Sequence, residues 1–451
     1  MPVVVAEPEG SEAPVEPSEP SNGRRFFYGW LMVPIAALLH VGTNVGQTHG
    51  IGVFNPFIRD DLKIEETALT TAYLIASLAA AVPLPLVGRL IDRHGLQAVA
   101  VCLVTGLAGA CAITASATNL IVLTLGFFLL RTLGQGALTL VAANTPAMWF
   151  DRRLGLAAGL VGLGQSAGIA VMPALFLFVV DGFGDVEDGD GFAGLGWRTG
   201  YVTLGLANAA VLLPILLFVY RNRPADVGQT LDGGAAPTDP SEALPGTASA
   251  AISDTPARQS LTAAEAYRTF PFWFVAGTQA TAGLIVTAIF FHLLTMLDER
   301  GVSGTDAAFC YTVFAGAMAS CQFLGGLSAD KVPPRFLVSL FGLLQASGCG
   351  LLLIVQSAAT AWTTMALLGS AQGLLIATIN VLWPRFFGVT ALGTIRGSVQ
   401  TIVVAACPVG PVLVALSRDR FGSENPSLLL FAGMLLTIAV VAPFLRPPIR
   451  R

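Results

Sequence analysis

Charge is what this sequence most lacks. Asp, Glu, Lys and Arg make up 12% of its 451 residues, about half the share of a soluble domain. That is too little to solvate a chain that is 54% hydrophobic. Lysine is almost missing: Lys63 and Lys331 are the only two. Neither follows a Gly-rich phosphate loop, which excludes an ATP-driven pump on this chain alone. No basic run reads as a phosphate footprint, so nucleic acid is excluded as a partner. The cysteines, Cys102, Cys111, Cys310, Cys321, Cys349 and Cys407, form no C-x-x-C pair and each falls inside an apolar stretch. They read as small apolar fillers, and neither disulfides nor a metal site is expected. There is no H-E-x-x-H, and a G-x-S-x-G elbow lacks its strand–helix setting, so the chain is not expected to be an enzyme or to need a cofactor. A selectivity-filter loop is missing as well, which argues against a channel.

Long apolar runs are what the sequence has. Mean hydropathy is +0.71, and the solvent that tolerates such a surface is lipid. Crossing the bilayer core takes about 20 apolar residues in a helix. With that window the spans fall at 29–52, 67–90, 97–116, 119–149, 154–180, 198–220, 270–296, 305–329, 335–356, 361–387, 391–416 and 427–445, twelve in all. The runs are continuous, without the period-2 alternation of a β-barrel strand, so the expected fold is an all-α membrane protein.

Placement of Lys and Arg sets the orientation. With the first residues in the cytoplasm, 17 of the 24 basic residues, Arg396 among them, lie inside. Arg59, Lys63, Arg198, Arg300, Arg418 and Arg420 lie outside, and Arg131 falls within a span. Both termini are then cytoplasmic, in a multi-pass protein of the plasma (inner) membrane. Residues 1–27, rich in Pro, Glu and Ser, are expected to be a disordered tail. The apolar stretch from Tyr28 is long enough to remain as the first helix. Residues 221–268 read as a cytoplasmic linker, flexible through 221–262 where Ala, Pro, Asp, Ser and Thr dominate. The linker divides a bundle at 28–220 from a second at 269–445, with 446–451 as a cytoplasmic tail.

The halves look related. Gly88-Arg-Leu-Ile-Asp92-Arg93 follows the second span and Gly326-Leu-Ser-Ala-Asp330-Lys331 the eighth, 238 residues on. Gln135-Gly136 in the fourth span recurs as Gln372-Gly373 in the tenth, 237 residues on. A parallel repeat of two six-helix halves marks one transporter architecture.

These features resemble the major facilitator superfamily from about residue 28 to 445. Gly88–Gly95, GRLIDRHG, looks like that family's loop motif between helices two and three. The resemblance implies a conformational latch made by Gly88, Asp92, Arg93 and Gly95, and by Gly326, Asp330 and Lys331 in the second half. Leu96, Gln97 and Ala98 replace the motif's basic tail. Arg131-Thr-Leu-Gly-Gln135-Gly136 resembles the fourth-helix motif, and Gly159, Gly162, Gly164, Gly168 and Pro173 the fifth-helix one. Within the superfamily the likeness is to monocarboxylate porters and oxalate–formate exchangers. It is carried by Tyr28-Gly29-Trp30, Gly52-Val53-Phe54, Gly196-Trp197-Arg198, Asn222-Arg-Pro-Ala-Asp-Val-Gly228, Phe291-His-Leu-Leu, Phe386-Phe387-Gly388 and Leu392-Gly393-Thr-Ile-Arg-Gly397. The resemblance implies an organic-anion substrate. The chain departs from it where the porters' helix-one Lys falls at or beside His49. Span 305–329 also lacks the helix-eight Arg before Asp330, and helix eleven lacks a charge unless Arg396 substitutes.

A charge held in a span costs at least about 2.5–3.5 kcal/mol at the helix centre. Arg131 is the clear case. It is read as binding an anion, coupling to a proton or bonding backbone carbonyls near helix four, or else as an arginine near the outer end that snorkels to water or pairs with a neighbouring helix. His40, Asn44, Gln47, Thr48, Ile51 and Asn55 recur at helical spacing, so one polar face of the first helix is expected to line a cavity. His40, His49 and His292 are the candidates for proton coupling, with His49 and His292 toward the outer side. Gln135, Gln165, Tyr311, Gln372, Asn380 and Gln400 are candidate neutral cavity groups that orient a substrate's polar end. The expected substrate pathway is thus Asn44, Gln47, His49, Arg131, Gln135, His292, Tyr311, Gln372, Asn380 and Gln400. Asp181, Asp185, Glu187, Asp188 and Asp190 crowd a Gly-rich loop that reads as solvated surface.

The function expected is secondary transport of a small monocarboxylate-like anion by alternating access, coupled to a proton or a counter-anion. Two alternatives stay open: an efflux exchanger for hydrophobic compounds, and a non-transporting sensor on the same scaffold.

Overall fold

The structure, a computed structural model, describes residues 26–183, 192–233, 260–302, 304–407 and 409–448. The first 25 residues and most of the linker and acidic loop, including Asp185, Glu187, Asp188 and Asp190, therefore lie outside the described residues.

Among the described residues, twelve spans form if one bent pair counts as a single crossing. They are α1 (Gly29–Leu62), α2 (Thr71–Ala81 and Leu84–His94), α3 (Leu96–Ala115), α4 (Leu120–Trp149), α5 (Leu154–Asp181) and α6 (Gly196–Val219). The second half holds α7 (Phe270–Asp298), α8 (Gly304–Ala329), α9 (Pro334–Leu352), α10 (Ala358–Phe387), α11 (Leu392–Phe421) and α12 (Asn425–Phe444). A two-residue antiparallel pair, β1 (Gly182–Phe183) with β2 (Phe192–Ala193), bridges α5 and α6. The bend in α2 is 40° and falls at Val82-Pro83, where proline removes a backbone donor. Large apolar side chains point outward along the spans: Ile121 is 82% exposed and Phe218 75%. In water such a surface would aggregate; lipid is what covers it.

Two spans depart from regular helix at the same depth. α1 is α-helical to Gly42, tightens to a 3-10 turn over Thr43–Gly46, and is extended at Gln47 before helix resumes at Thr48. The polar face expected along α1 is thereby broken: His40 and Asn44 precede the kink, and Thr48, Ile51 and Asn55 follow it on a re-aimed helix. In α4, Arg131–Leu138 is a π-helix, a form that appears mostly as short bulges. The two irregular segments pack on each other. A Cβ on Gly46 would lie 2.1 Å from the Leu130 carbonyl and 3.0 Å from Gly134 Cα, so only glycine allows this approach. Asn44 satisfies the loosened turn by donating to the carbonyls of Val41 at 2.7 Å and His40 at 3.3 Å. Asn208 of α6 donates to the Gly42 carbonyl at 3.2 Å.

The halves meet mainly through α2 against α11 and α5 against α8, toward the linker end of the bundle. Both contacts are glycine-on-glycine. A Cβ on Gly88 would lie 2.2 Å from the Gly393 carbonyl, and one on Gly155 2.2 Å from the Gly326 carbonyl. Gly88 and Gly326 are related by the 238-residue repeat, and Gly155 and Gly393 are separated by the same 238 residues. The internal repeat therefore extends to the surfaces by which the halves touch.

Candidate functional site

Each half reaches across that contact with one carboxylate. Asp92, near the end of α2, accepts from the backbone N–H groups of Gly393 and Thr394, both at 2.8 Å, and from the Thr394 hydroxyl at 2.6 Å. Asp330, just past α8, accepts from the N–H groups of Gly155 at 2.7 Å and Leu156 at 3.0 Å. Each acid thus caps the first turn of a helix in the opposite half, where N–H groups are unpaired and the helix dipole favours negative charge. Asp330 also pairs with Arg385 of its own half at 3.3 Å. Arg93 and Lys331, the other charged members expected of the latch, are exposed to solvent. Gly95 takes a φ of +83° at the turn into α3, a conformation glycine adopts at little cost.

One turn beyond the Asp92 contact lies a cavity of about 150 Å³ between the halves. His40 of α1, Thr139 of α4 and Gln165 of α5 line one side; Gln279 of α7, Asn380 of α10, and Arg396 and Gln400 of α11 line the other. Leu140, Ile376, Ile379, Trp383 and Val399 complete an apolar wall. Arg396 is only 6% exposed. Its Nη1 donates to the Ala143 carbonyl at 2.7 Å and to Asn144 Oδ1 at 2.9 Å in α4; its Nη2 donates to the Asn380 carbonyl at 3.0 Å and to Asn380 Oδ1 at 3.3 Å in α10. Charge placement along the sequence assigns this arginine to the cytoplasmic side; in the structure it belongs to the interior. The signal was available: Arg396 falls inside the apolar run assigned to helix eleven, between two glycines, Gly393 and Gly397, that pack on α2.

Arg131 sits at mid-depth, the twelfth of the 30 residues of α4. It is 8% exposed, so it does not snorkel to either surface. Its Nη1 donates to the Thr48 hydroxyl at 2.8 Å, and its guanidinium lies 5.1 Å from the centre of the Tyr73 ring. Tyr73 also donates to Thr48, at 2.9 Å. The break in α1 makes this cluster, because it places Thr48 at the start of a new helix facing α4. Arg131 and Gln135 share a small crevice with Ser77 of α2 and Val404 of α11. Among the described residues neither Arg131 nor Arg396 has a carboxylate within ion-pair distance.

The other expected pathway residues divide. Asn380 and Gln400 line the cavity, and Gln135 stands beside Arg131. Asn44 is spent on the kink of α1, and Gln47 donates to Thr43 at 3.2 Å. Gln372 donates across to the Ala282 carbonyl of α7 at 3.3 Å, a helix-to-helix bond rather than a cavity contact. His292 lies 3.3 Å from the Pro411 carbonyl of α11, and Tyr311 donates to the Phe290 carbonyl at 3.4 Å, both away from the cavity lining. The side chain of His49 lies outside the described residues. Sequence reasoning missed Thr139, Gln279 and Trp383, which carry no distinguishing pattern in an apolar run.

A cavity that brings polar groups of two like six-helix bundles together between apolar spans defines a multi-pass membrane carrier. Residues 35–411 match the Major Facilitator Superfamily, and the chain belongs to that family. It is a transporter and not an enzyme. The chain is similar to monocarboxylate transporter 11 of Homo sapiens, with 26% identity over 94% of this chain and 83% of that protein. It is also similar to monocarboxylate transporter 11 of Mus musculus, with 27% identity over 94% and 88%. A triacylglyceride transporter of Mycolicibacterium hassiacum is 29% identical over 39% of this chain and 32% of its own length. Among solved structures the fold is similar to FucP, a Major Facilitator Superfamily transporter in the outward conformation, with a TM-score of 0.62, 13% identity and coverage of 92% of this chain and 99% of that one. The human organic anion transporter MFSD10 gives a TM-score of 0.60 at 14% identity, over 92% and 97%.

Proposed function

We propose that the protein is a secondary active transporter carrying a small monocarboxylate-like organic anion by alternating access, coupled to a proton or to a counter-anion. One observation carries this reading: Arg131 and Arg396 are buried guanidiniums between the halves, unmatched by any carboxylate among the described residues. An unneutralised cation is costly in a low-dielectric interior, and an incoming carboxylate removes that cost through charge-assisted hydrogen bonds. The names borne by the human and mouse relatives point to the same substrate class.

In this reading the bundles at 28–220 and 269–445 rock about the cavity. The linker 221–268 and both termini face the cytoplasm from a plasma (inner) membrane, so the state with the Asp92 and Asp330 contacts made is outward-facing. Those two acids, with Gly88, Arg93, Gly95, Gly326 and Lys331, act as the latch. Asp92→Asn is expected to weaken the closed contact by about 1–2 kcal/mol, since it replaces charge-assisted bonds to a helix N-terminus. Asp330→Asn is expected to weaken it less, because Asp330 makes two bonds across the contact where Asp92 makes three. Inter-half crosslinking yields at the linker end give the ranking, and equal yields would remove the latch role.

Uptake of a panel of small carboxylates into proteoliposomes, with and without an imposed pH gradient, tests the substrate and coupling together. Saturable uptake of a monocarboxylate, accelerated by an inward proton gradient, supports symport; uptake that requires a trapped carboxylate supports exchange. The apolar wall of Ile376, Ile379 and Trp383 favours the second reading, efflux of a hydrophobic compound. Uptake of hydrophobic cations with none of carboxylates would establish it in place of the first.

A further inference from the structure

Arg396 does something that substrate binding alone does not require: it ties the halves together. Its Nη1 donates to two acceptors on α4, the Ala143 carbonyl and Asn144 Oδ1, while its Nη2 holds Asn380 on α10. All four acceptors are neutral. A carboxylate is a stronger acceptor for a guanidinium than a carbonyl or an amide oxygen, because it adds the attraction of an ion pair and can accept two parallel bonds. The same guanidinium has a buried donor, Nε, with no partner among the described residues. Three other groups lining the cavity also have a buried unpartnered polar atom: Gln279 Nε2, Thr139 Oγ1 and His40 Nδ1. Buried polar atoms are normally satisfied. Two of these atoms, Arg396 Nε and Gln279 Nε2, can only donate, and the Thr139 hydroxyl can do so. The cavity is thus short of acceptors in the way that a bound anion would correct.

We propose that Arg396 is an anion-released clamp between α4 and α11. In the unoccupied protein it holds the linker end closed through Ala143 and Asn144. A carboxylate that enters the cavity engages Nε and draws the guanidinium off α4, so binding on the C-terminal half loosens the hold on the N-terminal half. The Gly88–Gly393 contact and the Asp92 bond to α11 lie within one turn of the clamp and open with it. Substrate occupancy is thereby converted into freedom of the halves to rock, and an empty carrier keeps its linker end shut. The trigger rests on the organic-anion reading above; the clamp itself does not.

The test is a distance measurement between nitroxides at positions 94 and 332, on opposite halves at the linker end, with the non-buried cysteines replaced. With no anion added, Arg396→Gln and Asn144→Ala are each expected to raise the wide-separation population about tenfold, the equivalent of losing one hydrogen bond to a charged group. Arg396→Lys, which keeps the charge but loses the fork, is expected to behave as Arg396→Gln does, and it serves if the glutamine variant folds poorly. In the unsubstituted protein pyruvate is expected to shift the distribution the same way, and in Arg396→Gln to add nothing. Unchanged distributions in all three variants overturn the clamp. Widening in the variants with no response of the parent to pyruvate or oxalate overturns the anion trigger. Absence of carboxylate uptake in the proteoliposome screen would defeat the substrate reading while leaving the anion-free comparison decisive for the clamp.

Discussion

Gly155→Val is expected to reduce uptake about a hundredfold or more while leaving the protein folded. A side chain at 155 meets backbone first: its Cβ would lie 2.2 Å from the Gly326 carbonyl, and 2.8 Å from the Asp330 carboxylate. Real Cβ contacts do not come so close, and overpacking of this kind forces backbone shifts costing about 1–3 kcal/mol or more. The cheapest shift available is separation of the halves, because α5 and α8 belong to different bundles and the cores within each bundle are untouched. The variant should accumulate with its linker end open and fail to return. Gly88→Val should do the same from the other side, since its Cβ would meet the Gly393 carbonyl at 2.2 Å. Gly277→Val is the control: nothing lies within 4 Å of its Cβ position, so uptake should be retained. Uptake together with the distance between positions 94 and 332 measures both effects. Normal transport by Gly155→Val would mean that the two glycine contacts are not the surfaces on which the halves close.

The second large effect concerns Arg131. Arg131→Met is expected to raise thermal stability while lowering uptake about a hundredfold. The guanidinium is buried at mid-depth and compensated by one hydroxyl and one aromatic face. A charge at a helix centre costs at least about 2.5–3.5 kcal/mol, and about 10–17 for an arginine on an isolated helix, whereas one hydrogen bond donated by a charged group returns about 1.5–3 kcal/mol and a cation–π contact about 1–2. Methionine fills similar volume without that cost. A gain of even 1 kcal/mol should appear as an upward Tm shift of about 1 °C in detergent. The opposite signs are the informative part. A residue kept for the fold alone would lower Tm when replaced, whereas one kept for the substrate's charge lowers only transport. A fall in Tm with uptake preserved would assign Arg131 to the packing of the α1 kink.

Much of this was legible beforehand. The spans and the matched Asp92 and Asp330 follow from apolar run length and from similar short strings at nearly one spacing. The position of Arg131 within a span was equally plain, because a single charge in a long apolar run has nowhere else to go. What escaped was whatever depends on two helices meeting. The α1 kink is not marked by proline at 43–47; it is held by Gly46 against the Leu130 carbonyl and by Asn44 turning back on its own helix. The polar face expected to run straight along α1 therefore bends, and Asn44 becomes a brace where a substrate ligand was expected. Arg396 stands five residues from the beginning of an apolar run, where charge counting assigns it to the membrane surface. It is interior because α2, α4 and α10 close over it.

By itself the sequence determined that the chain crosses the bilayer many times, as two copies of one six-helix plan, because lipid accepts only long apolar helices and a repeat leaves its own trace. The tertiary structure alone decided which polar groups face one another. Hydropathy records how a residue partitions between water and oil; it carries nothing about the neighbour on the next helix. The pairing of Arg396 with α4, the broken first helix and the glycine seams between the halves are all properties of that second kind.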